Sequence, residues 1–194
     1  MCARHKVRQW SYNNLFRLHD DKCKELRIDF KKNNSIFPPI YVNRKPLEVV
    51  EEAKLLGLTI TSDLKWNKHV SNIVSKCSKR LYLLVQLKRA KVPKKDIIQF
   101  YTTCIRPVLE YASAVFHYSL PHYLSEDKER VQKRANSIVY PELGYQASLV
   151  ESGLLPLHVR RMQSCDKLFE QILDNHKLNN LILKVDTPSS YNYI

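Results

Sequence analysis

The stretch "WNKHVSNIVSKCSKRLYLLVQLKRA", residues 66–90, decides the fold. One set of positions in it is spaced alternately four and three apart, a period that keeps one face of an α-helix buried. These positions are Val70, Val74, Cys77, Leu81, Leu84 and Lys88. All but the last are apolar, so the spacing predicts one long amphipathic helix over residues 66–90. Ser62 or Asp63, just upstream, is expected to be its N-cap.

Before this helix, apolar and polar residues alternate. In "KCKELRIDF", residues 22–30, Leu26, Ile28 and Phe30 fall on one face and charged residues on the other. This alternation predicts a half-buried β-strand. Residues 3–16 have a near-helical spacing and look like the last turns of a helix, which suggests a further part of the domain upstream.

Two more β elements are predicted between this strand and the long helix. "IYVNRKPLEVV", residues 40–50, has turn-forming residues at 43–46 between two short apolar runs, which predicts a hairpin. "AKLLGLTI", residues 53–60, is typical of one strand, with Gly57 marking a bulge or a close backbone approach in its interior.

After the long helix the pattern stays helical. Pro93 is expected to separate it from the next helix, and Pro107 to bend a buried central helix. Helices are predicted over residues 96–120, 125–140, 145–153 and 155–173. The protein is therefore predicted to be α+β, with a short N-terminal hairpin-and-strand piece followed by a mainly helical bundle. The predicted boundaries are 1–62 for the β piece, 63–175 for the bundle and 176–194 for an irregular tail.

The chain is strongly basic. It has 32 Lys and Arg residues against 19 Asp and Glu residues, a formal net charge of +13 that favours nucleic acid as a partner. Eight cations lie between positions 76 and 95, where no acid occurs, and they are predicted to bind the phosphate backbone. They are Lys76, Lys79, Arg80, Lys88, Arg89, Lys91, Lys94 and Lys95. A solvated helix face is the alternative interpretation of this cluster.

A second group of cations is interleaved with acids. It comprises Lys128, Arg130, Lys133 and Arg134, among Glu126, Asp127 and Glu129. Such mixing is typical of an ion-paired surface, so no binding role is predicted for this group.

Several classes of protein are made improbable by what the chain lacks. With three glycines it has no phosphate-cradling loop, and its five cysteines have no metal-ligand spacing, so neither a cofactor nor a metal site is predicted. It contains no apolar run of the length of a signal peptide or a membrane span. An intracellular protein, cytoplasmic or nuclear and not associated with membranes, is expected.

The adjacent acids Asp20 and Asp21 raise the question of catalysis, because two-metal polymerases use neighbouring carboxylates. His19, Asp20 and Asp21 also spell the H-x-D beginning of a non-haem iron triad. Three residues alone carry little specificity, and the chain has no matching distal histidine framework. An iron site is therefore not predicted, whereas the residues alone leave the role of the acidic pair open.

A set of ordered segments resembles a known family. They are "WSYNNLFRLHDDKCKELRIDF", "PPIYVNRKPLEVVEEAKLLGLTITSDLKWNKHV", "SKRLYLLVQLKRAKVP", "FYTTCIRPVLEYASAVFHYSLP" and "DKERVQKRANSIVYP". In this order they are similar to the C-terminal part of the reverse transcriptase (RNA-directed DNA polymerase) of non-LTR retrotransposons of the jockey or CR1 type. The resemblance covers residues 10 to about 175.

The resemblance implies that the chain lies downstream of a polymerase active site. The family's metal-binding aspartates, including a Y/F-A-D-D turn, precede the segment that matches position 10, so no catalytic residue is expected here. "LHDDKCKEL" stands where the family usually has a sequence like "LNPKKCKEL". Asp20 and Asp21 are then expected in the turn that leads into the following strand.

The resemblance also implies positions for parts of the polymerase. Lys22 or Lys24 would match the palm lysine that assists the nucleotide's leaving group, although Asp20 departs from the family pattern and weakens the positive charge there. Residues 56–58 (Leu56, Gly57 and Leu58) would match the primer grip. The helices from Trp66 onward would be thumb-like, with the basic run 76–95 facing the template–primer duplex.

Two other hypotheses are compatible with parts of the sequence. The first 60 residues also resemble a short region found at the N-terminus of AlkB-type alkylation-repair homologues, but the chain lacks the jelly roll and ligand set of an oxygenase. A non-enzymatic helical protein-interaction module of transposon origin, with an incidental basic surface, is the alternative function.

Overall fold

The computed structural model describes residues 9–16, 19–31, 37–42 and 45–180, with short strands confined to its N-terminal part and a run of helices after them. The predicted α+β class is confirmed. The chain divides into two compact units, Met1–Asn72 and Ile73–Ile194. The first unit thus ends inside the long helix, whereas the change of period predicts a boundary at 62–63.

The described strands of the first unit form three two-stranded sheets. Strand β1 (Lys24–Leu26) is parallel to β4 (Glu48–Val50), β2 (Tyr41–Val42) is antiparallel to β3 (Lys45–Pro46), and β5 (Glu52–Leu55) is antiparallel to β6 (Leu58–Thr61). The pairing of β2 with β3 confirms a hairpin here, but Lys45 and Pro46, predicted to lie in its turn, form the second strand, and Glu48–Val50 pairs with β1 instead. Residues 43–44 of its turn lie outside the described residues.

The predicted strand over residues 22–30 is wrong in both length and facing. Only Lys24–Leu26 forms a strand, and its buried residue is Glu25, whereas Ile28 and Phe30 are exposed. The Glu25 carboxylate accepts a hydrogen bond from Arg27 Nε at 2.7 Å. Glu25 is therefore buried although the alternation assigns it, with Arg27, to the solvent face.

Residues 53–60 are a hairpin and not one strand. Leu56 and Gly57 have φ angles of 46° and 85°, and Leu55 pairs with Leu58 across the turn. Two successive positive φ angles are the mark of a two-residue type I′ turn, whose twist matches that of the strands it joins. Gly57 thus has an unusual backbone conformation, as predicted, but it lies in a turn and not in a bulge inside a strand.

This turn gives a direct test. Leu56→Asn should raise the free energy of unfolding by about 1 kcal/mol, because asparagine adopts positive φ more readily than leucine. Leu56 is 83% exposed, so little buried area is lost. Gly57→Ala should shift stability in the opposite direction. Denaturant unfolding followed by tryptophan fluorescence suits this unit, since it contains both tryptophans; two equal shifts of the same sign would contradict the assignment.

The long helix is confirmed, but its predicted cap is wrong. Helix α2 is Asn67–Arg89, and α1 is the short helical segment 9–13. Asp63 Oδ1 instead accepts hydrogen bonds from Thr61 Oγ1 (2.6 Å) and from the backbone N–H of Lys65 (3.0 Å). Asp63 thereby closes a turn between β6 and α2 and does not cap the helix.

The second unit is helical in its described part. Its further helices are α3 (Lys94–Phe100), α4 (Arg106–Glu110), α5 (Ser113–Phe116), α6 (His122–Val139), α7 (Tyr145–Ser152), α8 (Leu157–Asp174) and α9 (His176–Asn179). Pro93 precedes α3, and α6 ends before Pro141, as predicted. Helix α6 begins at His122 and not at Ser125. The short α9 lies within the predicted irregular tail, of which residues 181–194 are outside the described part.

The predicted central helix 96–120 is interrupted twice. Residues Tyr101–Ile105 form a π-helical turn, in which Arg106 N–H donates to the Tyr101 carbonyl. The turn ends two residues before Pro107, which has no N–H for the α-helical ladder. The helix then ends at Glu110, because Ala112 adopts a positive φ of 49°. The predicted continuity of one helix to residue 120 is thus wrong, and the bend at Pro107 stays a prediction.

A continuous apolar core holds the second unit together. Helix α2 contributes the fully buried Cys77 and Leu84 to it, and α4 and α8 contribute Leu109 and Leu157. This is the face that the four–three spacing predicts. No helix in the described ranges is both long enough and apolar enough to cross a bilayer.

Candidate nucleic-acid interface

Helical geometry sorts the cations of α2 into two groups. At about 100° per residue, Arg80 and Lys88 lie about 60° and 20° from the buried Cys77 around the helix axis. Lys76, Lys79 and Arg89 lie about 100°, 160° and 120° away from it. The first two therefore face the bundle, and the other three are on its solvent side.

The two inward cations have structural partners. Arg80 donates to the backbone carbonyl of Cys104, and Lys88 Nζ donates to that of Ile138. Both acceptors lie close to breaks in the helical ladder, at the π-helical turn and at the end of α6. These two cations stabilise the bundle. They are therefore not free to bind phosphate, although the sequence predicts binding for them.

Lys94, at the start of α3, is also engaged. Its Nζ lies 2.6 Å from Glu142 Oε1 and 4.8 Å above the ring of Tyr140. The hydrogen bond with Glu142 raises the pKa of Lys94 and lowers the pKa of Glu142. The acid that the sequence between 76 and 95 lacks is thus supplied from elsewhere in the fold.

Five of the eight predicted cations stay uncompensated. Each is exposed and forms no ion pair or hydrogen bond through its side chain within the described ranges. They are Lys76, Lys79, Arg89, Lys91 and Lys95, and we call them the basic surface. They extend from the middle of α2, through the turn that ends it, to the first turn of α3.

The turn after α2 fixes one member of this surface. Lys91 has a φ of 58°, its N–H donates to the Lys88 carbonyl (2.9 Å), and the N–H of Val92 donates to the Leu87 carbonyl (3.1 Å). These two bonds form a Schellman motif, which normally has glycine at the position of Lys91. A cation therefore occupies a backbone position where glycine would be less strained.

The residues matched to the palm and primer grip belong to the first unit. Lys24 forms an ion pair with Glu48, whereas Lys22 is exposed in a 3₁₀ turn, Asp20–Lys22. Leu56, Gly57 and Leu58 are the β5–β6 turn and the first residue of β6. The charge of Lys24 is thus already paired.

Asp20 and Asp21 lie in the 3₁₀ turn that precedes β1, which is the position expected for them. Asp21 pairs with Lys45, and this hydrogen bond lowers the pKa of the Asp21 carboxyl. The side chain of Asp20 lies outside the described part of the structure. Across the described parts of the chain, no group of three or more histidine, cysteine or acidic residues is arranged to hold a metal ion.

The prediction of an ion-paired surface for the second cationic group is confirmed for Arg130 alone, which pairs with Asp127 at 2.6 Å. Lys133 and Arg134 are exposed and form no ion pair among the described residues, and Lys128 is fully buried. The spacing contained a signal, because Lys128 lies between the buried Leu124 and Val131 at helical intervals of four and three. Arg161 of α8 is buried as well, at 2% exposure.

A polar network connects α6 to its neighbours and was not predicted. Gln132, with no exposed area, accepts from Tyr101 Oη (2.7 Å) and donates to Tyr145 Oη (3.0 Å) and to the Leu155 carbonyl (3.0 Å). Tyr145 Oη in turn donates to Glu129 Oε1. Single polar residues in an otherwise amphipathic helix give no sequence signal for such a network.

Comparison of the chain with models of protein families, with curated proteins and with solved structures found no match.

Proposed function

We propose that the basic surface binds the phosphate backbone of an RNA–DNA hybrid or duplex without sequence preference, as part of a reverse transcriptase-like fragment that lacks the catalytic aspartates. The observation that carries the proposal is the set of five exposed cations that have no acidic partner in the described ranges. Exposed cations that are already paired gain little from phosphate, whereas unpaired ones release counterions from it.

The length of the surface fits a backbone contact. Lys76 and Arg89 are separated by about 20 Å along the α2 axis, since a helix rises about 1.5 Å per residue. Phosphates follow one another about 3.4 Å apart in rise along each strand of a duplex. The surface therefore spans several phosphates, and four of its five cations are lysines, whose compact ammonium groups bind phosphate as point charges.

The proposal is tested by replacing all five cations of the basic surface with glutamine. The intact chain should bind a labelled RNA–DNA hybrid with a log affinity that falls with log salt at a slope of about −4, as expected for five phosphate contacts. The variant should bind about 100-fold more weakly at low salt and lose most of the slope. Fluorescence anisotropy across a salt series measures both quantities.

A matched control keeps the change in net charge the same. It replaces five cations that each have an acidic partner, namely Lys24, Lys45, Lys65, Lys68 and Arg130. Exposed ion pairs contribute little to stability, so the control should fold. It should keep most of its affinity. Equal losses in the two variants would mean that net charge alone attracts the hybrid and that the basic surface has no special role.

The resemblance supports the reverse transcriptase-like assignment, through the order of its segments. A primer-extension assay with magnesium and nucleotides on the same sample tests the expected lack of catalysis. Extension that survives Asp21→Asn would point to a catalytic site elsewhere, and extension that Asp21→Asn abolishes would make the acidic pair catalytic. Either result would overturn the proposal of a catalytically empty fragment.

A protein-interaction module remains the second candidate, because α8 exposes apolar side chains. Met162, Leu168, Phe169 and Leu173 are each more than 40% exposed. If α8 is a contact surface, Phe169→Asp should abolish self-association in sedimentation experiments and leave affinity for the hybrid unchanged. If the wild-type chain is monomeric at all concentrations, α8 does not mediate self-association.

A further inference from the structure

Two buried cations in the helical bundle have no acidic partner. Lys128 of α6 has no exposed area, and Arg161 of α8 is 2% exposed. Lys128 Nζ and the Nε and Nη1 atoms of Arg161 are buried and have no hydrogen-bond partner among the described residues. Burying charge without compensation is costly, so this arrangement requires a physical explanation.

The acids close to these cations are already engaged. Glu129 Oε1 accepts from Tyr145 Oη, and Glu129 Oε2 accepts from the backbone N–H of Leu157 at 3.0 Å. Glu110 accepts two hydrogen bonds from Arg160, at 2.6 and 3.2 Å. Neither carboxylate forms an ion pair with Lys128 or Arg161.

The neighbouring groups hold the two cations in position. Arg161 Nη2 donates to Ser125 Oγ, one turn before Lys128 on α6, which leaves the other two guanidinium nitrogens without an acceptor. Lys128 Nζ lies 4.6 Å from the centre of the Phe116 ring. His117, next to Phe116, has a fourth buried nitrogen, Nδ1, without a hydrogen bond among the described residues.

We propose that Lys128 and Arg161 form a buried binding site for a small monatomic anion of the chloride class. The anion would accept hydrogen bonds from Lys128 Nζ and from Arg161 Nε and Nη1, and it would neutralise half of the charge of the pair. The enclosure of all three nitrogens favours an ion without bulky substituents over phosphate or sulfate. Ser125, whose hydroxyl accepts from Arg161 Nη2, also lines an open pocket of about 470 Å³.

The site is independent of the proposed nucleic-acid binding. Its cations are buried, while those of the basic surface are exposed. This difference allows the two kinds of anion binding to be separated by mutation.

The test measures the melting temperature of the full chain, below neutral pH, at constant ionic strength, while sodium gluconate is replaced by sodium chloride or bromide. Because the anion binds only the folded chain, the melting temperature should rise by roughly 3–8 °C. Phosphate at the same ionic strength should give no such rise. Equal melting temperatures in gluconate and halide would overturn the proposal, and a rise in phosphate as large as that in halide would overturn the monatomic assignment.

Two variants locate the effect. Lys128→Met should abolish the halide response, and the variant with glutamine at all five positions of the basic surface should keep it. The reverse pattern would assign the response to exposed cations and reject the buried site. Should Lys128→Met fail to fold, crystals of the wild-type chain grown in bromide decide the matter: an anomalous peak is expected within hydrogen-bond distance of Lys128 Nζ, and its absence would overturn the site.

Discussion

Replacing Glu129 with leucine should be among the most destabilising single substitutions in the helical unit. The Glu129 carboxylate accepts from the Tyr145 hydroxyl and from the Leu157 N–H, and Glu129 is 8% exposed. Each donor left unsatisfied in the interior costs about 1–3 kcal/mol, so the free energy of unfolding should fall by roughly 2–6 kcal/mol. Urea unfolding followed by the helical circular-dichroism signal measures the change.

Glu126 provides the matched control on the same helix. It lies one turn before Glu129 and forms no hydrogen bond or ion pair through its side chain within the described residues. Glu126→Leu should change the free energy of unfolding by less than about 0.5 kcal/mol. A Glu129→Leu variant as stable as this control would mean that the carboxylate is not a structural acceptor.

The sequence predicts the helical half of the fold better than the strands, and the reason is length. Helix α2 repeats its seam over 23 residues, so one polar exception does not obscure the pattern. Strand β1 has three residues, and at that length alternation cannot distinguish the inner face from the outer one. The charged pair of Glu25 and Arg27 then decides the facing.

The candidate site was predicted at the level of its segment and not of each residue. The absence of acids between 76 and 95 correctly marked five exposed cations, but acceptors for the other three come from distant segments. Lys88 was the exception that the pattern itself indicated, because it continues the buried seam of α2 and donates to the Ile138 carbonyl. Lys128 follows the same rule on α6. A cation in an apolar seam is thus better interpreted as structural.

Lys128, adjacent to Glu129, should respond to mutation with the opposite sign. In buffer without halide, Lys128→Met should raise the free energy of unfolding by about 1–4 kcal/mol below pH 7, since an apolar side chain of similar length removes an uncompensated buried charge. Helix α6 keeps its apolar seam, because Leu124 and Val131 flank the position. A large loss of stability would show that the ammonium group has a partner that stabilises it.

The pH dependence separates the charge of Lys128 from its packing. Burial, and then the positive charge of Arg161, lower the pKa of Lys128 from 10.5 to about 7, against weaker opposing effects of Glu110 and Cys77. The unfolded chain therefore binds more protons than the folded chain between about pH 7 and 10.5, and stability from this group rises with pH across that interval. The advantage of Lys128→Met should be largest below pH 7 and shrink above it.

Halide bound beside the ammonium group of Lys128 favours its charged form, so by linkage the rise of stability with pH should begin at a higher pH in chloride than in gluconate. If the dependence of stability on pH were the same in chloride and in gluconate, the low pKa of Lys128 would stand, but no anion would bind beside it.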